Sequence, residues 1–198
     1  MKYYSYLLLA FALMNLSGCV PVVATGATTV AMTAAEERTM GSALDDTAIK
    51  ARILSNYVNR DFEKLFIDVD VSVNEGRVLL TGKVKKPETA VDAVKLTWLV
   101  PGVKEVINEL TVTDTSSLKD VSRDAYIKGR IKSQFLLDKD IRSVNYTLEV
   151  ENAVVYLFGI AQSQAELDKT ARIASTTPYV QKVISHVRLK NDPLRPKQ

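Results

Sequence analysis

The chain contains the same segment twice. Residues 78–82 (Val-Leu-Leu-Thr-Gly) recur as residues 155–159 (Val-Tyr-Leu-Phe-Gly), so that Gly82 and Gly159 stand 77 residues apart. At this spacing eight residues over positions 71–112 are identical to their counterparts without a gap. A related pair of segments, 46–53 and 124–131, repeats at a spacing of 78. The extra residue fits a loop, where insertions are tolerated. The repeat therefore predicts a tandem duplication into two similar domains of about 70 residues, a size that can still fold independently.

Both copies show the same order of hydrophobic periodicities. In the first copy Asp45 or Asp46 can cap a helix, on which Ile49, Ile53 and Tyr57 follow at helical spacing. Alternating apolar and polar residues then predict strands, and a proline opens a second helix. The predicted order is α-β-β-α-β. In the first copy the elements predicted after the first helix are strands at 67–73 and 77–83, a helix at 87–100 and a strand at 103–113. In the second copy they are a helix at 124–137, strands at 144–150 and 154–160, a helix at 164–176 and a strand at 180–189.

The N-terminus has the features of a secretory signal. Lys2 precedes a short apolar run at 6–14, which is too short to span a bilayer. Leu16-Ser17-Gly18-Cys19 resembles the lipobox of bacterial lipoproteins, which implies cleavage before Cys19 and lipidation of its sulfur. Val20 rather than Asp follows the cysteine, and by resemblance to sorting patterns in enteric bacteria this favours the outer membrane. The alternative is an uncleaved signal with a buried cysteine.

Composition excludes several kinds of site. Cys19 is the only cysteine and His186 the only histidine, so that an internal disulfide, a zinc cluster and most catalytic triads are excluded within one chain. A net charge of +3 is too small to indicate nucleic-acid binding. Asp68 and Asp70 lie two apart on one strand face, but no acid–base or metal arrangement surrounds them. We therefore predict a protein that is not an enzyme and has no metal or cofactor.

The repeated unit resembles a known domain. An α-β-β-α-β unit with V-x-L-x-G on its second strand and P-x-V-x-x-V-I leading into its third is similar to a BON domain. Two such units behind a lipobox, with residues 38–46 leading into the first, resemble the dual-BON outer-membrane lipoproteins of the DolP (YraP) family. The resemblance implies an α+β fold, with each domain a three-stranded mixed sheet covered by two helices.

The predicted organisation follows from the repeat and this resemblance. It comprises a signal peptide at 1–18, a lipidated N-terminus and flexible tether at 19–44, BON domains at 45–114 and 123–190 joined by a linker at 115–122, and a loose tail at 191–198. The segment that follows the cysteine could instead lie along the membrane surface. The family also implies a location at the outer membrane facing the periplasm, binding of anionic phospholipid such as phosphatidylglycerol through the second domain, and a role in envelope integrity and outer-membrane protein assembly.

The first helix of the second copy is the candidate lipid-binding element. At 100° per residue, Ile127, Ile131 and Phe135 point inward. A cationic helix that exposes an aromatic and an aliphatic side chain suits a membrane interface. In the family, an aromatic residue at the position of Tyr126 belongs to the membrane-contacting surface. The alternative is a solvated basic face with Tyr126 packed against the first domain. The candidate lipid-binding residues are Tyr126, Lys128, Gly129, Arg130, Lys132, Ser133 and Leu136.

Four further residues have predicted roles elsewhere. Gly82 and Gly159 each close a second strand, which indicates a close backbone approach or a positive φ angle. Trp98 has Ser175 as its counterpart in the second copy, and we predict that it contacts the other domain. His186 is predicted to lie at the surface or between the domains. A second hypothesis for the whole chain is a protein-interaction adaptor of the envelope, for which the lipid anchor serves only localisation.

Overall fold

The structure is a computed structural model that describes residues 40–113 and 118–195. The first copy begins with a long helix and ends with two short strands. Its elements are α1 (Met40–Arg60), a π-helical turn (Phe62–Ile67), β1 (Val69–Asn74), β2 (Arg77–Val84), α2 (Pro87–Trp98), β3 (Glu105–Asn108) and β4 (Thr111–Val112).

The second copy repeats this order with one longer final strand. Its elements are α3 (Leu118–Leu137), a 3-10 turn (Ser143–Asn145), β5 (Tyr146–Glu151), β6 (Val154–Ala161), α4 (Gln164–Thr176) and β7 (Lys182–Leu189). The chain therefore has the predicted α+β fold of two mixed sheets with helices. The predicted strand 103–113 is divided into β3 and β4.

The two sheets have the same topology. β1 pairs antiparallel with β2 through a two-residue hairpin, and β5 pairs with β6 in the same way. The last strands then pair in parallel, β3 and β4 with β2 and β7 with β6. A parallel partner requires a crossover connection, which α2 and α4 supply.

Each copy packs its helices onto one face of its sheet. In the first copy Ile53 and Tyr57 of α1 are fully buried against β2 residues such as Leu80. The Tyr57 hydroxyl lies 3.0 Å from the Ala93 carbonyl oxygen and 2.7 Å from Thr97 Oγ1, and burial raises its pKa to about 12. Phe135 holds the corresponding place in the second copy. The repeated apolar pattern thus builds two separate cores.

The first helix of each copy begins earlier than its predicted cap. α1 begins at Met40, within the predicted tether, and α3 begins at Leu118, within the predicted linker. Asp46 therefore lies inside α1, and its two carboxylate oxygens accept hydrogen bonds from the backbone N–H groups of Glu75 and Gly76, each at 2.8 Å. The expectation of a helix cap was wrong, because this side chain caps the β1–β2 hairpin instead.

The outer faces of the two sheets pack against each other. Leu79 of β2 forms one buried cluster with Tyr156 and Phe158 of β6, and Ile107 and Ile184 pack around it. Leu79 and Phe158 are fully buried. Each sheet is thus covered on one face by its own helices and on the other by the second sheet.

Ion pairs and a hydrogen bond surround this contact. Glu105 of the first domain accepts from Arg188 of the second at 2.8 Å, and Glu109 lies 2.8 Å from His186 Nε2. The prediction that His186 lies at the surface or between the domains is confirmed by this contact. A further pair joins Lys83 to Glu151 at 2.6 Å. Charges of both signs on one domain therefore meet their opposites on the other.

The C-terminal segment is held against the first domain. Arg195 donates to both carboxylate oxygens of Glu75, at 2.7 and 3.0 Å, and both side chains are almost completely buried. Residues 191–195 are therefore anchored, where a loose tail was expected, because Glu75 lies within reach. Within residues 40–113 and 118–195, the helices are too short or too polar to cross a membrane. The predicted signal peptide, Cys19, the tether up to residue 39 and residues 196–198 lie outside the described residues.

Candidate functional site

The outward face of α3 exposes apolar side chains beside basic ones. Ile127, Ile131 and Phe135 are buried in the second core, as the helical spacing predicts. On the opposite side Tyr126 is 46% exposed and Leu136 is 74% exposed. The exposed remainder of this face comprises Gly129, Arg130, Lys132, Ser133 and Leu137. Most of the side chains predicted to bind lipid therefore share one solvent-facing surface.

The candidate basic residues differ in their pairing. The Lys128 ammonium lies 2.6 Å from a Glu149 carboxylate oxygen on β5, so that its charge is largely neutralised there. Arg130 and Lys132 are exposed and form no ion pair within the described ranges. The partner of Lys128 lies on a strand and not on α3 itself. Arg130 and Lys132 are the two cations with the greatest freedom to meet a phosphate.

Gly129 lies at the centre of this surface without a packing role. A methyl group added at its Cα would have no neighbouring atom within 4 Å. Tyr126, Arg130 and Ser133 surround it and line a shallow depression on the helix. Glycine lowers helix stability relative to alanine, and nothing in the packing of the described residues explains its presence here.

A second tyrosine joins the surface from the loop after α4. The rings of Tyr126 and Tyr179 meet edge to face, with centroids 5.8 Å apart and planes at 71°. Tyr179 is 67% exposed. Sequence reasoning missed this residue, and its only sequence signal is that Tyr179 replaces the glycine of the Pro101-Gly102 turn in the first copy.

The two strand glycines adopt the same unusual backbone conformation. Gly82 has φ +123° and Gly159 has φ +133°. A side chain at Gly82 would collide with the Asp68 carbonyl oxygen, and one at Gly159 would collide with that of Asn145. Both glycines therefore have a structural role in letting the neighbouring chain approach the second strand.

Trp98 is half exposed at the C-terminal end of α2. The contacts between the domains that the structure shows come from the sheet faces and the surrounding ion pairs, so that its contact with the other domain stays a prediction. No group of three or more His, Cys, Asp or Glu side chains in the described part of the chain could hold a metal ion. The surface on α3 instead combines free cations with amphipathic and apolar side chains, which suits binding at a lipid interface.

Two α-β-β-α-β units with mixed sheets define a tandem BON protein, and comparison with known proteins agrees. The pattern of the BON domain matches residues 45–114 and 123–191. The chain is 41% identical to an uncharacterized protein in the gshII 5′ region of Anaplasma centrale, over 77% of this chain and 99% of that protein. It is 35% identical to outer membrane lipoprotein DolP of Haemophilus influenzae, over 85% and 87% of the two chains. It is 31% identical to osmotically-inducible protein Y of Escherichia coli, over 76% of each. The chain belongs to the BON-domain family and, within it, to the dual-BON proteins of the DolP family.

Proposed function

We propose that the chain is a non-enzymatic outer-membrane lipoprotein of the periplasm whose second BON domain binds anionic phospholipid. In this proposal lipidated Cys19 anchors it, and binding supports envelope integrity and outer-membrane protein assembly. The relative in Haemophilus influenzae is itself named an outer membrane lipoprotein, which supports the location. The observation that carries the lipid proposal is the exposed face of α3, where unpaired Arg130 and Lys132 lie beside Tyr126 and Leu136.

The physical argument combines charge with amphipathic burial. Arg130 and Lys132 attract lipid phosphates, and each basic residue near an anionic surface contributes about 1 kcal/mol. Tyr126 places its ring at the boundary between headgroups and acyl chains while its hydroxyl stays hydrated. Leu136 adds apolar area that only a membrane or a partner can cover. The open depression at Gly129 lets a headgroup approach the helix backbone.

Sedimentation with liposomes tests this proposal. The unlipidated chain from residue 20 onward is mixed with zwitterionic liposomes, with and without phosphatidylglycerol, because a lipidated chain would bind any bilayer. We expect binding only to the anionic liposomes, weakening as salt is added. Arg130→Glu should reduce the affinity by about tenfold or more, since it replaces one attraction with one repulsion.

The first domain supplies the matched control. Arg52 occupies the position of Arg130 in the first copy and is also exposed, so that Arg52→Glu makes the same change of charge on the same kind of helix. It should leave liposome binding within about twofold. If wild type fails to bind at low salt, or if both variants lose affinity equally, binding through the second domain is wrong.

The adaptor hypothesis has one observation of its own. Val91, Trp98 and Leu99 leave half or more of their surface exposed on and just after α2 of the first domain. An apolar surface of this kind fits a protein partner. Under this hypothesis Trp98→Ala would impair envelope function in cells, whereas Arg130→Glu would not. The reverse pattern supports the lipid-binding proposal.

A further inference from the structure

We propose that Tyr179 is a second membrane-contacting residue, which forms with Tyr126 a two-tyrosine contact with the lipid interface. This inference rests on the proposed function of α3. It adds a residue from a different element, the turn between α4 and β7, to the lipid-binding surface of the second domain. The ligand is the boundary between headgroups and acyl chains of an anionic bilayer.

The backbone at Tyr179 gives the first argument. Its φ angle is +72°, in the left-handed region that favours glycine and is rarely occupied by an aromatic residue. The equivalent residue in the first copy is Gly102, with φ +95°. The turn thus has the same shape in both domains, but only the second places a large side chain on it. A side chain kept where the backbone disfavours it points to a function for that side chain.

The comparison between the copies gives the second argument. Tyr126 corresponds to Ala48 and Tyr179 to Gly102, so that the first domain reaches the same fold with small residues at both positions. Neither tyrosine belongs to the buried core of the second domain. A BON domain can therefore fold without an aromatic side chain at either position. In the second domain the two rings are exposed and in contact with each other.

Their geometry fits an interfacial contact. The rings lie edge to face at 5.8 Å, an arrangement that holds each in place while leaving 46% of Tyr126 and 67% of Tyr179 exposed. Arg130 lines the depression beside Tyr126, so that a cation and aromatic rings lie on one surface. Charge complementarity to this unpaired cation selects an anionic bilayer as the occupant. The contact between the rings already restricts their rotation. They therefore lose less conformational entropy on binding a membrane than freely rotating rings would.

Tyr179→Gly tests the inference, because it restores the residue of the first copy. In the chain from residue 20 onward, which keeps every described residue, we expect affinity for phosphatidylglycerol liposomes to fall by about fivefold to tenfold. The melting temperature should stay the same or rise, since glycine suits the left-handed backbone. Tyr179→Phe, which retains the ring and its contact with Tyr126, is the matched control and should keep most of the affinity.

Insertion is measured separately with a single tryptophan. Trp98→Phe removes the only native tryptophan, and Tyr179→Trp then places the sole fluorophore in the turn. Liposomes with brominated acyl chains should quench it, and adding salt should reverse the quenching as the protein dissociates.

The outcomes separate the two proposals. If wild type binds anionic liposomes and Tyr179→Gly binds equally well, the inference is overturned while the proposed function stands. If wild type does not bind at all, the proposed function fails first. A fall in both affinity and melting temperature with Tyr179→Gly, together with no quenching of Tyr179→Trp, would show a structural role and also overturn the inference.

Discussion

Gly129 lies in the middle of α3, where an isolated glycine lowers helix stability by about 0.5 to 1 kcal/mol relative to alanine. Since nothing packs against it, Gly129→Ala should raise the free energy of unfolding by that amount. The added methyl group also projects into the depression beside Arg130, so that we expect affinity for anionic liposomes to fall severalfold. Urea denaturation and liposome sedimentation measure the two effects on the same sample.

The counterpart of Gly129 in the first copy is an alanine, Ala51, which is exposed on α1. Ala51→Gly should therefore lose the stability that Gly129→Ala gains and leave lipid binding unchanged. If Gly129→Ala is less stable than wild type, the glycine has a packing role that the structure does not show. If it binds lipid normally, the depression is not part of the lipid site.

The exposed positions of α3 can be predicted from the sequence, but the ion pairs of its charged side chains cannot. Helical spacing is a local property, and it correctly places Tyr126, Arg130 and Leu136 away from the core. The partner of Lys128 is Glu149, 21 residues away on a strand, and only the folded chain brings the two together. Tyr179 was missed for a similar reason, because its neighbour Tyr126 comes from another element.

Each long helix is tied to the hairpin beneath it by one aspartate. Asp46 accepts from the N–H groups of Glu75 and Gly76, and Asp124 accepts in the same way from Asn152 and Ala153. All four of these turn residues have positive φ angles. Two-residue hairpins of this shape leave adjacent N–H groups pointing in one direction, and a carboxylate can accept both.

We expect Asp46→Ala to lower the free energy of unfolding by about 3 to 6 kcal/mol. Two hydrogen bonds to a charged group are lost, each contributing about 1.5 to 3 kcal/mol in favourable cases, and two buried N–H groups lose their acceptor. Urea denaturation followed by circular dichroism measures the change. Asp45→Ala alters the exposed neighbouring residue on the same helix and should change stability by less than about 0.5 kcal/mol. Equal effects of the two variants would contradict the proposed tie.

The order of helices and strands was predictable, because the spacing of apolar residues that distinguishes them is set by residues close together in the chain. The helix starts were not, since an aspartate that caps a helix and one that binds a distant hairpin look alike in sequence. Asp46 and Asp124 were recognised as repeated, but their partners are about 30 residues further along the chain. Repetition identifies a residue as structurally important without showing what it binds.

The sheets of the two domains share one buried interface. β6 carries apolar residues on both of its faces, with Val155 and Leu157 in the core of the second domain and Tyr156 and Phe158 against the first. A strand that is apolar on both faces indicates burial on both. The uninterrupted apolar run at 155–158 therefore indicates that both faces of β6 are buried, whereas an alternating apolar and polar pattern would indicate burial of one face only.

Charge strengthens the same contact. The Arg77 guanidinium lies 5.1 Å from the centroid of the Phe158 ring, donates to Glu105 at 2.8 Å and donates to the His186 carbonyl oxygen at 3.1 Å. Burial lowers the pKa of Arg77, and the hydrogen bond to Glu105 opposes that shift. Phe158 thus lies where the apolar and the charged parts of the interface meet.

Phe158→Ala should therefore weaken the packing of one domain on the other. We expect a loss of about 3 to 4 kcal/mol in the free energy of unfolding, typical of truncating a buried phenylalanine. Because each domain has its own core, both should stay folded while separating, so that the radius of gyration in small-angle X-ray scattering increases.

Leu157→Ala is the control on the same strand, since Leu157 is equally buried but faces the core of the second domain. It should cost about 2 to 5 kcal/mol without increasing the radius of gyration of the folded protein. An unchanged radius in Phe158→Ala would mean that the surrounding ion pairs hold the domains together without the apolar contact.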